Sequence, residues 1–197
     1  MIAAVALAIS LLSAPANNGE QVAVFAGGCF WGIEGVFEHV KGVIRATSGY
    51  AGGTVKSPSY EDVSSGGTGH AESVEVVFDP KVVSYEKLLE VFFSVAHDPT
   101  ELNRQGPDVG TQYRSAIFYK NDEQKRAAEA YIAQLTKNKV FSQPIVTEVT
   151  PLKAFYKAED YHQDFMKKNP LYPYILINDR PKVAHLKQQF PELYTEK

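Results

Sequence analysis

The 197-residue sequence contains one cysteine, Cys29, and therefore cannot form a disulfide within the chain. One thiol is also too few for a metal site built from thiolates, so packing and nucleophilic chemistry remain as its roles. A surplus of basic residues is missing as well, because the formal net charge is −3 and the Lys and Arg residues are scattered. This charge pattern gives no reason to expect binding to nucleic acid or to an acidic membrane.

No apolar run reaches the roughly 20 residues that a membrane-spanning helix needs. The apolar segment 1–16 is shorter, and its length together with the small-x-small pattern of Ala14-Pro15-Ala16 is typical of a signal peptide. No Lys or Arg precedes this run, and a loosely docked N-terminus is the alternative interpretation. We predict a signal peptide at 1–16 and a single domain at 17–197, periplasmic or secreted if the segment is cleaved and cytoplasmic otherwise.

Apolar patterning predicts the element order β-α-β-β-α-β-α-β along the chain. The predicted ranges, in that order, are 21–26, 30–40, 43–50, 72–78, 84–96, 113–119, 121–138 and 145–149. The remaining features are two long loops at 51–69 and 97–112, a short helix at 159–168, and an extended C-terminal tail indicated by prolines at 170, 173, 181 and 191. We expect an α+β fold, a two-layer sandwich with a split βαβ, ferredoxin-like core.

Cys29 lies between the first predicted strand and the first predicted helix, in a run with the letters GGCFWG. Unpaired backbone N–H groups and the positive end of the helix dipole favour a thiolate at such a position. Phe30 and Trp31 follow directly and can form an apolar wall beside the sulfur. We therefore predict that Cys29 is an ionised nucleophile.

Four further residues carry groups that fit chemistry on a polar oxygen. Glu72 has the same strand parity as Val74, which points its carboxyl toward the apolar side of the sheet and raises its pKa enough for a proton donor. Parity alone is equally compatible with a solvent-exposed carboxyl at the rim of the sheet. Tyr60 and Tyr113 offer hydrogen-bond donors, and Asp108 lies in the second long loop. These residues act together only if the two loops meet over the cysteine.

Five motifs in chain order resemble those of the A-type peptide methionine sulfoxide reductases. They are GCFWG at 28–32, GYAGG at 49–53, GHAE at 69–72, the segment from HDPT through NRQG to YRS at 97–115, and EDYHQ at 159–163. The resemblance covers about residues 22–165 and implies that Cys29 is the nucleophile. It also implies that Phe30 and Trp31 form the pocket for the terminal methyl group of the substrate.

The same resemblance implies roles for the remaining site residues. Glu72 is expected to protonate the sulfoxide oxygen, Tyr60 and Tyr113 to hydrogen-bond it, and Asp108 to order the site near the thiol. The family acts on the S epimer of methionine sulfoxide, free or within proteins. Attack by the thiolate, with protonation of the oxygen, releases methionine and leaves Cys29 as a sulfenic acid.

Recycling of the enzyme depends on what the chain lacks. Many relatives carry a resolving cysteine near the C-terminus, and many have a cysteine where this chain has Ser64. The sulfenic acid must therefore be reduced by an external thiol, either thioredoxin, glutathione with glutaredoxin, or a dedicated exported donor. We expect no bound cofactor, no metal, no nucleic acid and no membrane contact after signal removal, and we expect a monomer that acts on oxidised proteins or free methionine sulfoxide.

Two other functions are compatible with a lone cysteine beside aromatic residues. A Cys–His hydrolase or acyl transferase would pair Cys29 with a histidine, with Asn169 or Asp164 orienting the ring. The candidate rings are His39, His70, His97, His162 and His185. A binding module would use the aromatic pair at 30–31 to hold an apolar ligand, with no role for the thiol.

Overall fold

The computed structural model describes residues 19–197, and the signal peptide predicted at 1–16 lies outside the described residues. The strands in this part of the chain are β1 (Gln21–Ala26), β2 (Val43–Ala51), β3 (Ala71–Phe78), β4 (Arg104–Gln105), β5 (Asp108–Val109), β6 (Ala116–Tyr119), β7 (Glu148–Pro151) and β8 (Phe155–Lys157). The α-helices are α1 (Phe30–Glu38), α2 (Tyr60–Ser64), α3 (Tyr85–Val91), α4 (Asp122–Lys137), α5 (Phe165–Lys168) and α6 (Arg180–Gln189). No helix among residues 19–197 is long and apolar enough to cross a membrane.

Six strands form one mixed sheet in the order β7-β6-β1-β3-β2-β8, and β4 and β5 form a separate hairpin. All neighbours in the large sheet are antiparallel except β6 and β7, which are parallel. Because β3 lies between β1 and β2, the helix α1 that connects those two strands passes over β3. The protein therefore has a mixed α/β fold. Its finer description as a two-layer sandwich with a ferredoxin-like core stays a prediction.

The core lies where α1 and α3 cover the centre of the sheet. Phe25 of β1 stacks against Phe37 of α1 at 5.1 Å between ring centroids, and against Phe92 at 4.8 Å. Both β1 and β3 are inner strands of the sheet, and most of their side chains are buried. The C-terminal end of β1 is therefore held firmly, and so is the turn after it, which contains Cys29.

The C-terminal region differs most from the sequence prediction, because the extended tail predicted there was wrong. Residues Ile175–Asp179 form a π-helical turn that leads into α6 (Arg180–Gln189), and both pack against α1. Pro181 lies in the first turn of α6, where the missing N–H costs no hydrogen bond. A proline breaks the interior of a helix but is tolerated in its first turn. The sequence prediction took the prolines only as a sign of extended chain.

Smaller differences concern the long loops and the strand ends. The loop predicted at 51–69 contains the short helix α2, and the loop predicted at 97–112 contains the β4–β5 hairpin. The strand predicted at 113–119 begins at Ala116, because Thr111–Tyr113 form a 3-10 turn. The strand β8 was not predicted, since its three residues are too short for a periodic signal.

Candidate active site

The turn between β1 and α1 places Cys29 at the N-cap position of α1. Gly28 precedes it with a φ of 93°, in the left-handed region that favours glycine. A Cβ atom at Gly28 would also lie 2.6 Å from Cβ and Cγ of Gln105, so glycine is required for space as well. The segment that contains Gln105 therefore packs directly on this turn. Cys29 is 8% exposed and is therefore buried.

The thiol of Cys29 keeps its proton in the resting protein. Burial raises the pKa of Cys29 well above its ordinary value, and the carboxyl groups of Glu72 and Asp179 add to this effect when they are ionised. The Trp31 backbone N–H and the Lys182 ammonium both lower the pKa of Cys29, but by less. The predicted resting thiolate was therefore wrong, because the stabilisation available at the helix N-terminus is smaller than the desolvation of a charge.

Glu72 lies on β3 with its carboxyl inside the protein, at 2% exposure, and not at a solvent-exposed rim. Its Oε2 accepts a hydrogen bond of 3.0 Å from the backbone N–H of Phe30, the first residue of α1. Burial raises the pKa of Glu72 to about 8, with Asp108 and Asp179 adding to the shift and the Phe30 N–H opposing it. The carboxyl is therefore protonated at neutral pH, next to the residue that follows Cys29.

The two aromatic residues after Cys29 have different surroundings. Phe30 is 1% exposed, and its ring lies 5.9 Å from the Tyr50 ring and 4.9 Å from the His162 ring. Trp31 is partly exposed and stacks on Phe165, with 3.8 Å between ring centroids and 8° between ring planes. Its indole Nε1–H donates to Nδ1 of His162 at 3.1 Å. Stacking and the hydrogen bond together hold the indole in one orientation.

Tyr60 and Tyr113 come from different segments and share the same electrostatic surroundings. Burial raises the pKa of Tyr60, and the charges of Glu72 and Cys29 contribute. Burial likewise raises the pKa of Tyr113, again with Glu72 and Cys29 among the contributing groups. Both phenols therefore remain protonated and able to donate hydrogen bonds near the thiol and the carboxyl. The two long loops do meet at the turn that holds Cys29.

Asp108 lies on β5, and its carboxylate accepts a hydrogen bond from the Tyr174 hydroxyl. Burial raises the pKa of Tyr174, and the next contribution comes from Cys29. Asp108 thus orders a third phenol near the thiol. Sequence analysis missed Tyr174, because it lies in the segment that was predicted as an extended tail.

The EDYHQ motif at 159–163 forms hydrogen bonds to several of the segments that carry these site residues. Glu159 accepts a hydrogen bond of 2.8 Å from the Tyr60 backbone N–H and one of 2.9 Å from the Tyr50 hydroxyl. His162 accepts from the indole of Trp31, while its Nε2 is buried without a partner. Gln163 donates through Nε2 to the backbone carbonyl of Ser48 at 3.0 Å. The motif therefore connects α2 and the indole of Trp31 to strand β2.

Asp179 and Lys182 were also missed by sequence analysis. Asp179 is completely buried, and its Oδ1 lies 3.5 Å from Nζ of Lys182. Both residues act electrostatically on Cys29, as the shift of its pKa shows. No local pattern marks them in the sequence, because they reach α1 only through the packing of the π-helical turn and of α6 against that helix.

The histidines give no support to a Cys–His hydrolase. His97 is buried with Nε2 at 2.7 Å from the Ser115 hydroxyl, and burial lowers its pKa to about 4. His39 and His70 are hydrogen-bonded to backbone groups. Across residues 19–197, no histidine ring is hydrogen-bonded to the sulfur of Cys29, and no group of three or more His, Cys, Asp and Glu side chains could hold a metal.

A family profile, sequence relatives and solved structures all identify the same protein family for this chain. The family profile described as peptide methionine sulfoxide reductase matches residues 21–194. The peptide methionine sulfoxide reductase MsrA 2 of Mesorhizobium japonicum is 62% identical over 182 residues, which cover 92% of this chain and 93% of that protein. The crystal structure of Mxr1 from Saccharomyces cerevisiae in reduced form matches with a TM-score of 0.74 at 34% identity, covering 80% of this chain and 90% of that chain.

A structure of Mxr1 from Saccharomyces cerevisiae in complex with Trx2 also matches, with a TM-score of 0.55 at 25% identity, covering 80% of this chain and 92% of that chain. Fold, site and sequence similarity together show that the chain belongs to the peptide methionine sulfoxide reductase family. Within this family it is an A-type enzyme, a peptide-methionine (S)-S-oxide reductase.

Proposed function

We propose that the protein reduces methionine S-sulfoxide, free or within proteins, by attack of the Cys29 sulfur on the sulfoxide sulfur. The sulfoxide gains two electrons and becomes a thioether, and Cys29 loses two electrons and becomes a sulfenic acid that carries the oxygen. The observation that carries this proposal is the Glu72 carboxyl, which is protonated at neutral pH and hydrogen-bonded to the residue after Cys29.

Breaking the sulfur–oxygen bond requires a proton on the oxygen, because hydroxide leaves far more readily than a dianionic oxide. We assign this proton to Glu72 and the hydrogen bonds to the oxygen to Tyr60 and Tyr113. The thiol of Cys29 loses its own proton during the oxidation, and the Glu72 carboxylate left by the first transfer accepts it. Attack forms a bond between the two sulfur atoms, and the protonated oxygen leaves the substrate sulfur as hydroxide. Hydroxide then adds to the Cys29 sulfur and breaks the sulfur–sulfur bond, which releases the thioether. The sequence of steps converts one thiol and one sulfoxide into one sulfenic acid and one thioether, with no net uptake of protons.

The methyl group of the substrate requires an apolar recess beside the thiol, and we assign this recess to Phe30 and Trp31. The stacking of Trp31 on Phe165 and its hydrogen bond to His162 support this role, because they keep the indole from turning away. Asp108, through its bond to the Tyr174 hydroxyl, orders the opposite wall.

Recycling requires an external thiol, because Cys29 is the only cysteine in the chain. Two thiol groups reduce the sulfenic acid to the thiol and form one disulfide and one water. The fold similarity to Mxr1 in complex with Trx2 supports thioredoxin as the donor. Glutathione with glutaredoxin is the second candidate, since it supplies the same chemistry.

The test is a turnover of the purified protein on methionine S-sulfoxide without reductant. We expect one methionine per chain and one sulfenic acid, which dimedone labels at Cys29. The Cys29→Ser variant should form no methionine. A yield of two methionines per chain would mean that a second reducing group exists, and methionine formation by Cys29→Ser would remove Cys29 from the mechanism.

We also propose that the mature protein is a monomeric domain, 17–197, exported after cleavage of the segment 1–16. The support for cleavage is the sequence pattern alone. Mass spectrometry of the protein recovered from its native host is expected to give an N-terminus at Asn17, and detection of the intact Met1 form in the cytoplasm alone would contradict export.

A further inference from the structure

Asp179 and Lys182 form a charge pair against the first helix that the proposed chemistry does not use. Asp179 ends the π-helical turn before α6 and is 0% exposed, and the side chain of Lys182 is 18% exposed. The carboxylate oxygen Oδ1 and the ammonium nitrogen lie 3.5 Å apart. Burial raises the pKa of Asp179 to about 6, opposed by Lys182, so the pair is charged at neutral pH.

The position of the pair relative to Cys29 follows from Gly32. A Cβ atom at Gly32 would lie 2.2 Å from Oδ1 of Asp179 and 2.8 Å from Nζ of Lys182. The pair therefore fills the space that a side chain at Gly32 would take. Cys29 is the N-cap of α1, and Gly32 lies in the first turn of that helix. Both charges thus lie against the first turn of α1, the turn that begins directly after the residue carrying the thiol.

Stability does not explain this arrangement. Oδ2 of Asp179 is buried and has no hydrogen-bond partner. An orphaned oxygen on a buried carboxylate is unfavourable, and buried ion pairs are often no more stable than apolar residues of similar volume. The pair therefore needs another explanation, and its location beside the only thiol suggests one.

We propose that Asp179 and Lys182 are positioning residues that act through Cys29, Lys182 favouring its ionised form and Asp179 limiting that effect. Lys182 brings a cation to a desolvated thiol that must lose its proton during the reaction. Asp179 anchors the ammonium against α1 and prevents an unpaired buried cation. The inference rests on the proposed role of Cys29 as nucleophile.

Other ionisable groups also face this site and are not substituted in the test, although Asp179 contributes to the raised pKa of Glu72 and Tyr174. They are Tyr60 of α2, Glu72 of β3, His97, Asp108 of β5, Tyr113, His162 and Tyr174. None of these groups is in the α6 helix, so substitutions at the pair leave them in place.

The test measures the ionisation of Cys29 without turnover. The rate of iodoacetamide alkylation of the full chain is followed between about pH 6 and 10, since only the thiolate reacts. We expect Lys182→Met to raise the pKa of Cys29 and to slow alkylation at neutral pH by about three- to tenfold, a shift of up to about one pKa unit. We expect Asp179→Asn to lower the pKa and to accelerate alkylation by a similar factor.

Three controls separate this effect from a loss of structure. Lys182→Arg keeps the charge and should restore the wild-type profile. Lys187→Met removes an ammonium from the same helix that pairs with Glu196 at the surface, and it should leave the profile unchanged. Circular dichroism establishes that each variant is folded. If Asp179→Asn does not fold, the comparison of the alkylation profiles of Lys182→Met and Lys182→Arg is sufficient to test the proposal.

The proposal is overturned if both pair variants shift the profile in the same direction, or if neither shifts it. The result for the proposed function is independent, because it is measured as methionine formed by the wild-type protein. If the wild-type protein forms methionine and the variants at Asp179 and Lys182 leave the pKa of Cys29 unchanged, only the proposed role of the charge pair is rejected. A wild-type protein that forms none would reject the reductase chemistry whatever the alkylation profiles show.

Discussion

At the scale of single residues, Cys29 and Glu72 both keep their protons at neutral pH, because burial raises both pKa values. A neutral thiol beside a neutral carboxyl suits a substrate that is polar but uncharged. In the proposed mechanism the Glu72 carboxyl protonates the sulfoxide oxygen, and the carboxylate that results accepts the thiol proton. Under that proposal one residue serves both proton transfers of the reduction.

This arrangement predicts the pH dependence of the Glu72→Gln variant. The acid form of Glu72 is present below its pKa of about 8, so the single-turnover rate of the wild-type protein should fall above that pH. Glu72→Gln should be slower by about a hundred- to ten-thousandfold, the usual contribution of general acid catalysis. Its remaining rate should continue to rise with pH as Cys29 ionises.

The matched control for this variant is Glu75→Gln. Glu75 lies on the same strand, is partly exposed and is 3.9 Å from Arg45, away from the thiol. Rapid-quench measurement of methionine formation compares the two variants with the wild-type protein. An unaltered rate and pH profile in Glu72→Gln would show that another group donates the proton.

At the scale of elements, the short helix α2 is positioned by a residue from a distant part of the chain. Glu159 joins the Tyr60 backbone N–H to the Tyr50 hydroxyl, with hydrogen bonds of 2.8 Å and 2.9 Å. The helix has only five residues and cannot hold its own position. The position of Tyr60 therefore depends on the EDYHQ motif.

We predict that Glu159→Ala reduces both activity and stability. Loss of hydrogen bonds to a charged carboxylate should lower the free energy of unfolding by about 1.5–3 kcal/mol. Displacement of Tyr60 should lower kcat more than it raises KM, since the phenol acts on an oxygen that gains charge during the reaction. Chemical denaturation and steady-state kinetics with dithiothreitol measure these two quantities.

Asp160→Ala is the control, because Asp160 is the adjacent acid and its side chain is 92% exposed in an ion pair with Lys157. Surface ion pairs contribute little, so this variant should remain close to the wild-type protein. Equal losses in the two variants would mean that α2 does not depend on the bridge made by Glu159.

At the scale of the whole molecule, burial of the Glu72 carboxyl lowers the free energy of unfolding at neutral pH. The pKa of Glu72 is about 8 in the folded protein and 4.5 in its ordinary, exposed state. A carboxyl with a raised pKa contributes its full share of stability below the unfolded pKa and loses it as pH rises toward the folded pKa. As the pH rises between these two pKa values, the free energy of unfolding therefore falls relative to that of a variant with a neutral side chain at position 72.

Glu72→Gln should accordingly become more stable than the wild-type protein as pH rises from 4.5 to 8. The gain at the upper end should be on the order of 4 kcal/mol, from the size of the pKa shift. Denaturant unfolding of both proteins at several pH values measures the difference between them, which cancels the contributions of other groups. A difference that does not change with pH would show that Glu72 is not buried in its acid form.

The central strands and the site turn could be predicted from local sequence. The strand at 21–26, the helix after Cys29 and the parity of Glu72 all depend on side chains near in sequence, whose periodicity reflects burial directly. The predicted thiolate failed because local reasoning sees the helix N-terminus but not the depth of burial. Desolvation depends on the loop around Gln105 and on α6, which distant parts of the chain supply.

The order of the residues is enough to establish which reactive groups this protein has: one thiol, no second cysteine to resolve it, and motifs that carry a carboxyl and two phenols. The protonation states of these groups and the side chains around them depend on how the chain folds. The fold buried Cys29 and Glu72 together, turned the predicted tail into α6, and brought Asp179 and Lys182 to the first helix. The physical reason is that identity is covalent and local, whereas the pKa of a group depends on every charge and every water molecule that the folded chain brings near or removes.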